Sequence, residues 1–279
     1  MLQVHNNHEL CAQIKVWKQQ RKTIAFVPTM GNLHQGHLSL LHAAHDQADK
    51  LVSSIFVNPM QFGPNEDLSK YPRTLEQDCK ALMEHGCDLV YLPSEKDLYP
   101  QALAHITAVQ VPDVTRYYEG ESRPGHLTGV STIVLKLFNL VQPDLAVFGK
   151  KDYQQLQMIK KMVRDLNLTI DIIAADTIRE KNGLAMSSRN QYLTQQQRQQ
   201  SATLYQQLSH AAGQIRAGSS DFGQICQSAI EILTGQGFVV DYFDVCSRKN
   251  LQPPVNGEAL VIICAARLGS TRLIDNIEV

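Results

Sequence analysis

Hydrophobic positions follow two rhythms along this chain, and the two alternate. Leu10, Ile14 and Trp17 share one helical face within residues 8–21, and residues 24–27 (Ile-Ala-Phe-Val) then form an apolar run of strand length. A helical pattern opens near Gly36 and continues through Leu38, Leu41, Ala44 and Ala48. Residues 51–57 read as a second strand, 75–85 as a helix and 89–92 as a third strand, while 107–111 alternate as another short strand would. Residues 132–140 read as helix, 145–148 as strand, 153–166 as helix and 170–174 as strand. Strands alternating with helices imply a parallel sheet covered on both faces.

The pattern changes near residues 177–189. A polar loop (Arg179-Glu180-Lys181-Asn182-Gly183) leads to two amphipathic stretches, 195–217 and 222–233, and to strand-like runs at 238–245, 259–266 and 272–277. The glutamine run at 195–200 is flanked by apolar residues and reads as a solvated helix face. Two domains follow from this, an α/β unit over 1–176 and a small α+β unit over 177–279.

Composition adds bounds rather than detail. A chain of 279 residues with 43% apolar and 19% charged residues is an ordinary globular protein, and a net charge of −1 gives no global field for nucleic acid or an anionic membrane. None of the six cysteines has C-x-x-C spacing, so they read as buried thiols of a reducing compartment. The first residues show no leader pattern, and no apolar run reaches the ~20 residues of a membrane span. The expected compartment is the cytoplasm, with no nucleic-acid or membrane partner.

Three clusters carry candidate chemistry. Pro28-Thr29-Met30-Gly31-Asn32-Leu33-His34-Gln35-Gly36-His37 links a strand to a helix start, where N–H groups and the dipole favour phosphate. His34 and His37 lie three apart and so share a face, and Gly36 lets a ligand approach the backbone. The bland alternative makes both histidines surface turn residues. Phe148-Gly149-Lys150-Lys151-Asp152-Tyr153-Gln154-Gln155 again puts a glycine turn between strand and helix. There a lysine neutralises phosphate, or the segment is a basic turn with an N-cap. Ala185-Met186-Ser187-Ser188-Arg189-Asn190 suits a phosphate clamp or a capping serine pair.

Taken together and in order, these motifs resemble the pantothenate synthetase (pantoate–β-alanine ligase) family of the nucleotidyltransferase superfamily. Phe56-Val57-Asn58-Pro59-Met60-Gln61-Phe62, Tyr71-Pro72-Arg73-Thr74 and the ending Arg272-Leu273-Ile274-Asp275-Asn276 add to the likeness. The resemblance implies a Rossmann-like first domain. It also implies a C-terminal domain that acts as a lid carrying the loop from Met186 to Arg189. The implied reaction is condensation of pantoate with β-alanine, driven by ATP with Mg²⁺ through a pantoyl adenylate, in a homodimer. By the same resemblance His37 is the proton donor, assisted by His34 and Lys151. ATP is expected along Met30, Gly31, Asn32, Leu33, His34, Gln35, Gly36 and His37. Gly149, Lys150, Lys151, Asp152, Ile178, Met186, Ser187, Ser188 and Arg189 complete that site. Gln61 is expected to bind pantoate and β-alanine, Gln155 pantoate, and Asn58 the pantoyl group. Lys150 departs from the family, which usually has Glu there. No metal ligand set is evident; Asp78 is a candidate, set against its reading as a solvated helix acid.

Rival readings are a nucleotide adenylyltransferase of the same superfamily, a nucleotide sensor without turnover, and a fragment of a class I aminoacyl-tRNA synthetase. Gln61 in Asn-Pro-Met-Gln-Phe, the paired histidines and the lack of a basic surface respectively argue against them.

Overall fold

A computed structural model describes residues 1–64, 66, 68–255 and 257–279. Its contacts divide the chain into two compact units, one of residues 1–149 and 158–175, the other of 150–157 and 176–279. Residues 150–157 therefore group with the C-terminal unit although they precede the change in pattern near 177.

The first unit holds β1 (Leu2–Val4), α1 (Asn7–Gln19), β2 (Ile24–Thr29), α2 (Gln35–His45), β3 (Lys50–Ile55), α3 (Leu75–Glu84) and β4 (Leu89–Tyr91). The short α4 (Glu95–Leu98) and α5 (Glu119–Ser122), then α6 (His126–Val141) and β5 (Leu145–Gly149), follow. Helix α7 (Tyr153–Asp165) leads to β6 (Asp171–Ala175). The strands form one parallel sheet in the order β1-β4-β3-β2-β5-β6. Central β2 alternates in two directions. Ala25 and Val27 pack with Leu38 and Leu41 of α2, while Phe26 sets its ring edge-on to Phe138 of α6 at 6.4 Å. Burial on both faces is why this strand reads as an unbroken apolar run.

Beside β2, strand order reverses: β3 lies on one side and β5 on the other. The loops leaving the carboxyl ends of β2 and β5 are where an open parallel sheet places ligands. They begin at Met30 and after Gly149.

The expected strand at 107–111 is not formed. Val109 is held by side chains of α6 instead: its N–H donates to Thr132 Oγ1 at 2.9 Å and its carbonyl accepts from Ser131 Oγ at 2.6 Å. Alternation alone does not distinguish a ladder from an extended segment docked on a helix. β1 went unread because three residues carry too little pattern.

In the second unit, α8 (Gln195–Gln200), α9 (Ala202–Arg216) and α10 (Phe222–Gly235) precede an antiparallel sheet of β7 (Phe238–Ser247), β8 (Leu260–Leu268) and β9 (Thr271–Glu278). Leu204, Leu208, Ala229 and Leu233 pack with Phe243, Ile262, Cys264 and Leu273 as its core. The stretch 195–217, read as continuous, is divided at Ser201, whose buried hydroxyl donates to the Arg198 carbonyl at 2.8 Å. The glutamines occupy α8, behind a Thr194–Gln197 capping box.

All six cysteines are free thiols. Cys11 is exposed and Cys79 half-buried, so uniform burial was the wrong expectation. Among the described residues no helix is long and apolar enough to cross a membrane.

Candidate active site

The turn after β2 is shaped by two left-handed residues and held by a carboxylate from another helix. Gly31 (φ +82°) and Asn32 (φ +50°) both occupy the left-handed region, which turns successive N–H groups toward one point. That point is filled by Asp78 of α3. Its carboxylate accepts from Asn32 N at 2.9 Å, Leu33 N at 2.8 Å and Thr74 Oγ1 at 3.1 Å. A side chain at position 31 would meet Asp78 Oδ2 and Ile55 at 3.0 Å, so the glycine is required twice over. Asp78 is 3% exposed. It is neither the solvated helix acid nor, with both oxygens engaged by the turn, a fitting metal ligand. Among the described residues no group of three acidic, histidine or cysteine side chains could hold a metal ion.

Helix α2 starts with a reciprocal cap made by the two histidines. His34 is the N-cap, and its Nδ1 accepts from Gly36 N at 3.1 Å; His37 Nδ1 accepts from His34 N at 3.3 Å. The rings lie 4.1 Å apart. A nitrogen that accepts an N–H carries a lone pair, so each neutral ring holds its proton on Nε2. This corrects the simplest reading of the motif as open backbone amides. The amides of His34 and Gly36 are consumed by imidazoles, which in exchange have donor nitrogens at their far edges.

Beyond β3, Asn58 and Gln61 are also prearranged. Asn58, 1% exposed, donates to Gln61 Oε1 and to the Gly129 carbonyl, both at 3.1 Å, and accepts from Tyr99 OH at 2.7 Å. Gln61 Nε2 lies 2.9 Å from Met30 Sδ, which brings the Gln61 amide to the start of the histidine turn. The Gln61 carbonyl accepts from His126 Nδ1 at 2.8 Å, and Arg123 reaches it at 3.4 Å while pairing with Glu66 at 2.6 Å. Gly129 permits the close packing: a Cβ there would sit 2.2 Å from the Met60 carbonyl. Asp78, Tyr99, His126 and Gly129 thus support the predicted residues. The sequence nominated only Asp78, and in another role; Tyr99, His126 and Gly129 lie at the end of α4 and on α6, where spacing does not reveal them.

Gly149 ends β5 in the first unit, and the second unit holds the remaining predicted residues. A 3-10 turn at Lys150–Asp152 precedes α7, with Gln155 half-buried in the first turn of that helix. Asn276 Nδ2 donates to the carbonyls of Lys150 at 2.8 Å and Lys151 at 2.9 Å. The Lys150 ammonium pairs with Asp176 at 2.7 Å and Glu278 at 3.1 Å, and the Asp176 hydrogen bond leads the effects that hold its pKa above the usual lysine value. Lys151 lies 3.6 Å from Asp152. Ile178 is joined to Met186, whose N–H donates to its carbonyl at 2.9 Å across a narrow hairpin. Ser187 caps a short turn containing Ser188 and Arg189, its side chain accepting from Arg189 N at 3.3 Å. Arg179 braces that hairpin through bonds of 2.5 and 2.9 Å to Asp275, and its guanidinium stacks 3.6 Å over Tyr205.

Two consequences are measurable. Asp78→Asn keeps the shape but sets an amide NH₂ against a backbone N–H, and should cost about 2 kcal/mol on chemical denaturation. Faster amide exchange at Asn32 and Leu33 should accompany the loss; unchanged exchange would refute the anchoring role. His126 is half-buried, and desolvation first, then the Arg123 charge, pushes its pKa from 6.5 down to about 4. The folded state therefore holds it neutral while the unfolded state takes up a proton below pH 6.5. Stability from this group is complete above pH 6.5 and is lost as the pH falls toward 4, in all about 3 kcal/mol. His126→Asn, which keeps a donor toward Gln61, should flatten the stability–pH curve over that window.

Comparison with known proteins identifies the family. Residues 3–278 match the family described as Pantoate-beta-alanine ligase. A pantothenate synthetase of Colwellia psychrerythraea is 52% identical over 277 residues, covering 97% of this chain and 96% of its own. That of Hahella chejuensis is 50% identical over 280 residues, covering 100% and 99%. The crystal structure of a Thermus thermophilus pantothenate synthetase superposes with a TM-score of 0.93 at 41% identity, covering 100% of this chain and 99% of its own. That of the Francisella tularensis ligase, complexed with β,γ-ATP and β-alanine, gives 0.82 at 33% identity, covering 100% and 97%. The chain belongs to the pantoate–β-alanine ligase family.

Proposed function

We propose that this chain joins pantoate to β-alanine at the expense of ATP, giving pantothenate, AMP and pyrophosphate. The observation that carries the reading is the pair of mutually capping histidines, ring centroids 4.1 Å apart and each Nδ1 accepting a backbone N–H, beside the preset Gln61 amide. In the first step a pantoate carboxylate oxygen attacks the α-phosphorus, the bond to the β-phosphate oxygen breaks, and pyrophosphate leaves. In the second, the amine of β-alanine attacks the adenylate carbonyl, the acyl–phosphate bond breaks, the nitrogen loses a proton and AMP leaves.

His37, with His34, donates Nε2–H hydrogen bonds to phosphate oxygens as negative charge moves onto the leaving group. Donors held in place before the reaction stabilise such charge without reorganising. Met30 to His37 lie along ATP. Lys151, the backbone from Gly149 to Asp152, Ile178, and the segment Met186, Ser187, Ser188 and Arg189 bind its phosphates and base. Lys150 serves through its backbone, because its ammonium is committed to Asp176 and Glu278. Gln61 holds pantoate and then β-alanine, Gln155 holds pantoate, and Asn58 acts on the pantoyl group while orienting Gln61. Mg²⁺ would enter with the ATP phosphates rather than on Asp78, and it shields their charge. A homodimer working in the cytoplasm completes the reading, on the strength of the family likeness.

ATP–pyrophosphate exchange should depend on pantoate, and AMP should appear only when β-alanine is added. Exchange indifferent to pantoate would refute the reaction order. His37→Ala should lower turnover about 10²–10³-fold, the usual loss for one transition-state donor. Turnover equal to that of the unaltered protein would remove His37 from the mechanism.

A further inference from the structure

Strand β9 carries, at Asp275 and Asn276, contacts to both segments of the second unit that are assigned to ATP. Asp275 is 3% exposed and binds Arg179 in a two-bond fork. Arg179 in turn donates to the Gly183 carbonyl at 3.1 Å, so the hairpin leading to Met186 is held to the strand. Asn276, 6% exposed, donates both amide hydrogens to consecutive carbonyls, those of Lys150 and Lys151.

The second contact has a directional effect. In a planar trans peptide the C=O and N–H point opposite ways. Fixing the carbonyls of Lys150 and Lys151 therefore fixes the N–H groups of Lys151 and Asp152, and turns both away from Asn276. Two successive N–H groups set side by side at the start of a helix suit a phosphate oxygen. The same contact fixes where the Lys151 side chain leaves the backbone.

We propose that Asn276 is a positioning residue for ATP, acting through the peptide planes of the Lys150–Asp152 turn, with Asp275–Arg179 holding β9 to the neighbouring hairpin. This rests on the reading of Lys151 as a phosphate ligand. Asn276→Ala removes both donors. Asn276→Asp, nearly identical in shape, turns carboxylate oxygens toward two carbonyls. Asn276→Ser keeps one donor and guards against a variant that does not fold.

Steady-state kinetics and thermal unfolding should be measured for these variants, for Lys151→Ala and for the double variant Asn276→Ala/Lys151→Ala. Asn276→Ala and Asn276→Asp should raise the ATP KM about tenfold, with Asn276→Ser between them and the unaltered protein, and with the β-alanine KM little changed. The double variant should be no worse than Lys151→Ala, as expected of two residues acting in one unit. A lower Tm with an unchanged ATP KM would show a structural contact only and overturn the proposal. If Lys151→Ala raises the ATP KM and no Asn276 variant does, the Lys151 assignment stands and this proposal falls. If Lys151→Ala itself leaves the ATP KM unchanged, the assignment of Lys151 and this proposal fall together.

Discussion

The carboxylate of Asp78 inside the turn after β2 is the constraint on which the first unit's site depends. Two consecutive left-handed residues, Gly31 and Asn32, direct N–H groups inward, and without an acceptor that arrangement would bury unsatisfied donors. Asp78 supplies the acceptor from another helix. The turn is thereby tied to α3, and the direction in which the chain enters α2 is set. His34 and His37 can then cap that helix reciprocally, and their tautomers follow from the cap rather than from any ligand. A requirement of backbone hydrogen bonding thus ends as a statement about which imidazole nitrogen can donate.

The same logic recurs around Gln61. Its side-chain oxygen, side-chain nitrogen and backbone carbonyl are all engaged, by Asn58, Met30 and His126 respectively. An amide can rotate and flip at small cost, so one meant to recognise a carboxylate or hydroxyl gains from being fixed beforehand. A titratable ring at His126 serves as a fixed donor here because burial keeps it neutral through the range where an exposed histidine would charge.

The strands and helices flanking both loops were legible, since burial on both faces writes a run of apolar residues and burial on one writes a helical stripe. The motif residues were legible as types at a spacing. What the sequence hid were the second partners. Asp78 lies 46 residues from Asn32, Gly129 lies 71 from Asn58, and Asn276 lies 126 from Lys150. No local pattern links positions so far apart; only the order of strands in the sheet and the crossing of helices does. The segment at 107–111 shows the converse error. It alternates as a strand does, but Ser131 and Thr132 offered its backbone an alternative to a ladder.

Lys150, where the resemblance leads one to expect Glu, has its charge met locally. A second ammonium beside Lys151, left unpaired, would compete with it for an anionic ligand. Glu278 faces Lys150 and also binds Arg248 at 2.6 Å, while Asp176 binds the lysine from the loop side. The Lys150 charge is therefore met by two carboxylates within its own unit, and the Glu278 carboxyl is held below its usual range: burial opposes this, but the Lys150 hydrogen bond and the Lys150 and Arg248 charges outweigh it. Partly exposed pairs of this kind contribute little to stability. Their consequence is directional: the Lys150 side chain is turned toward Glu278 of β9. The backbone of the same turn is held separately, by the two hydrogen bonds from Asn276 to the Lys150 and Lys151 carbonyls.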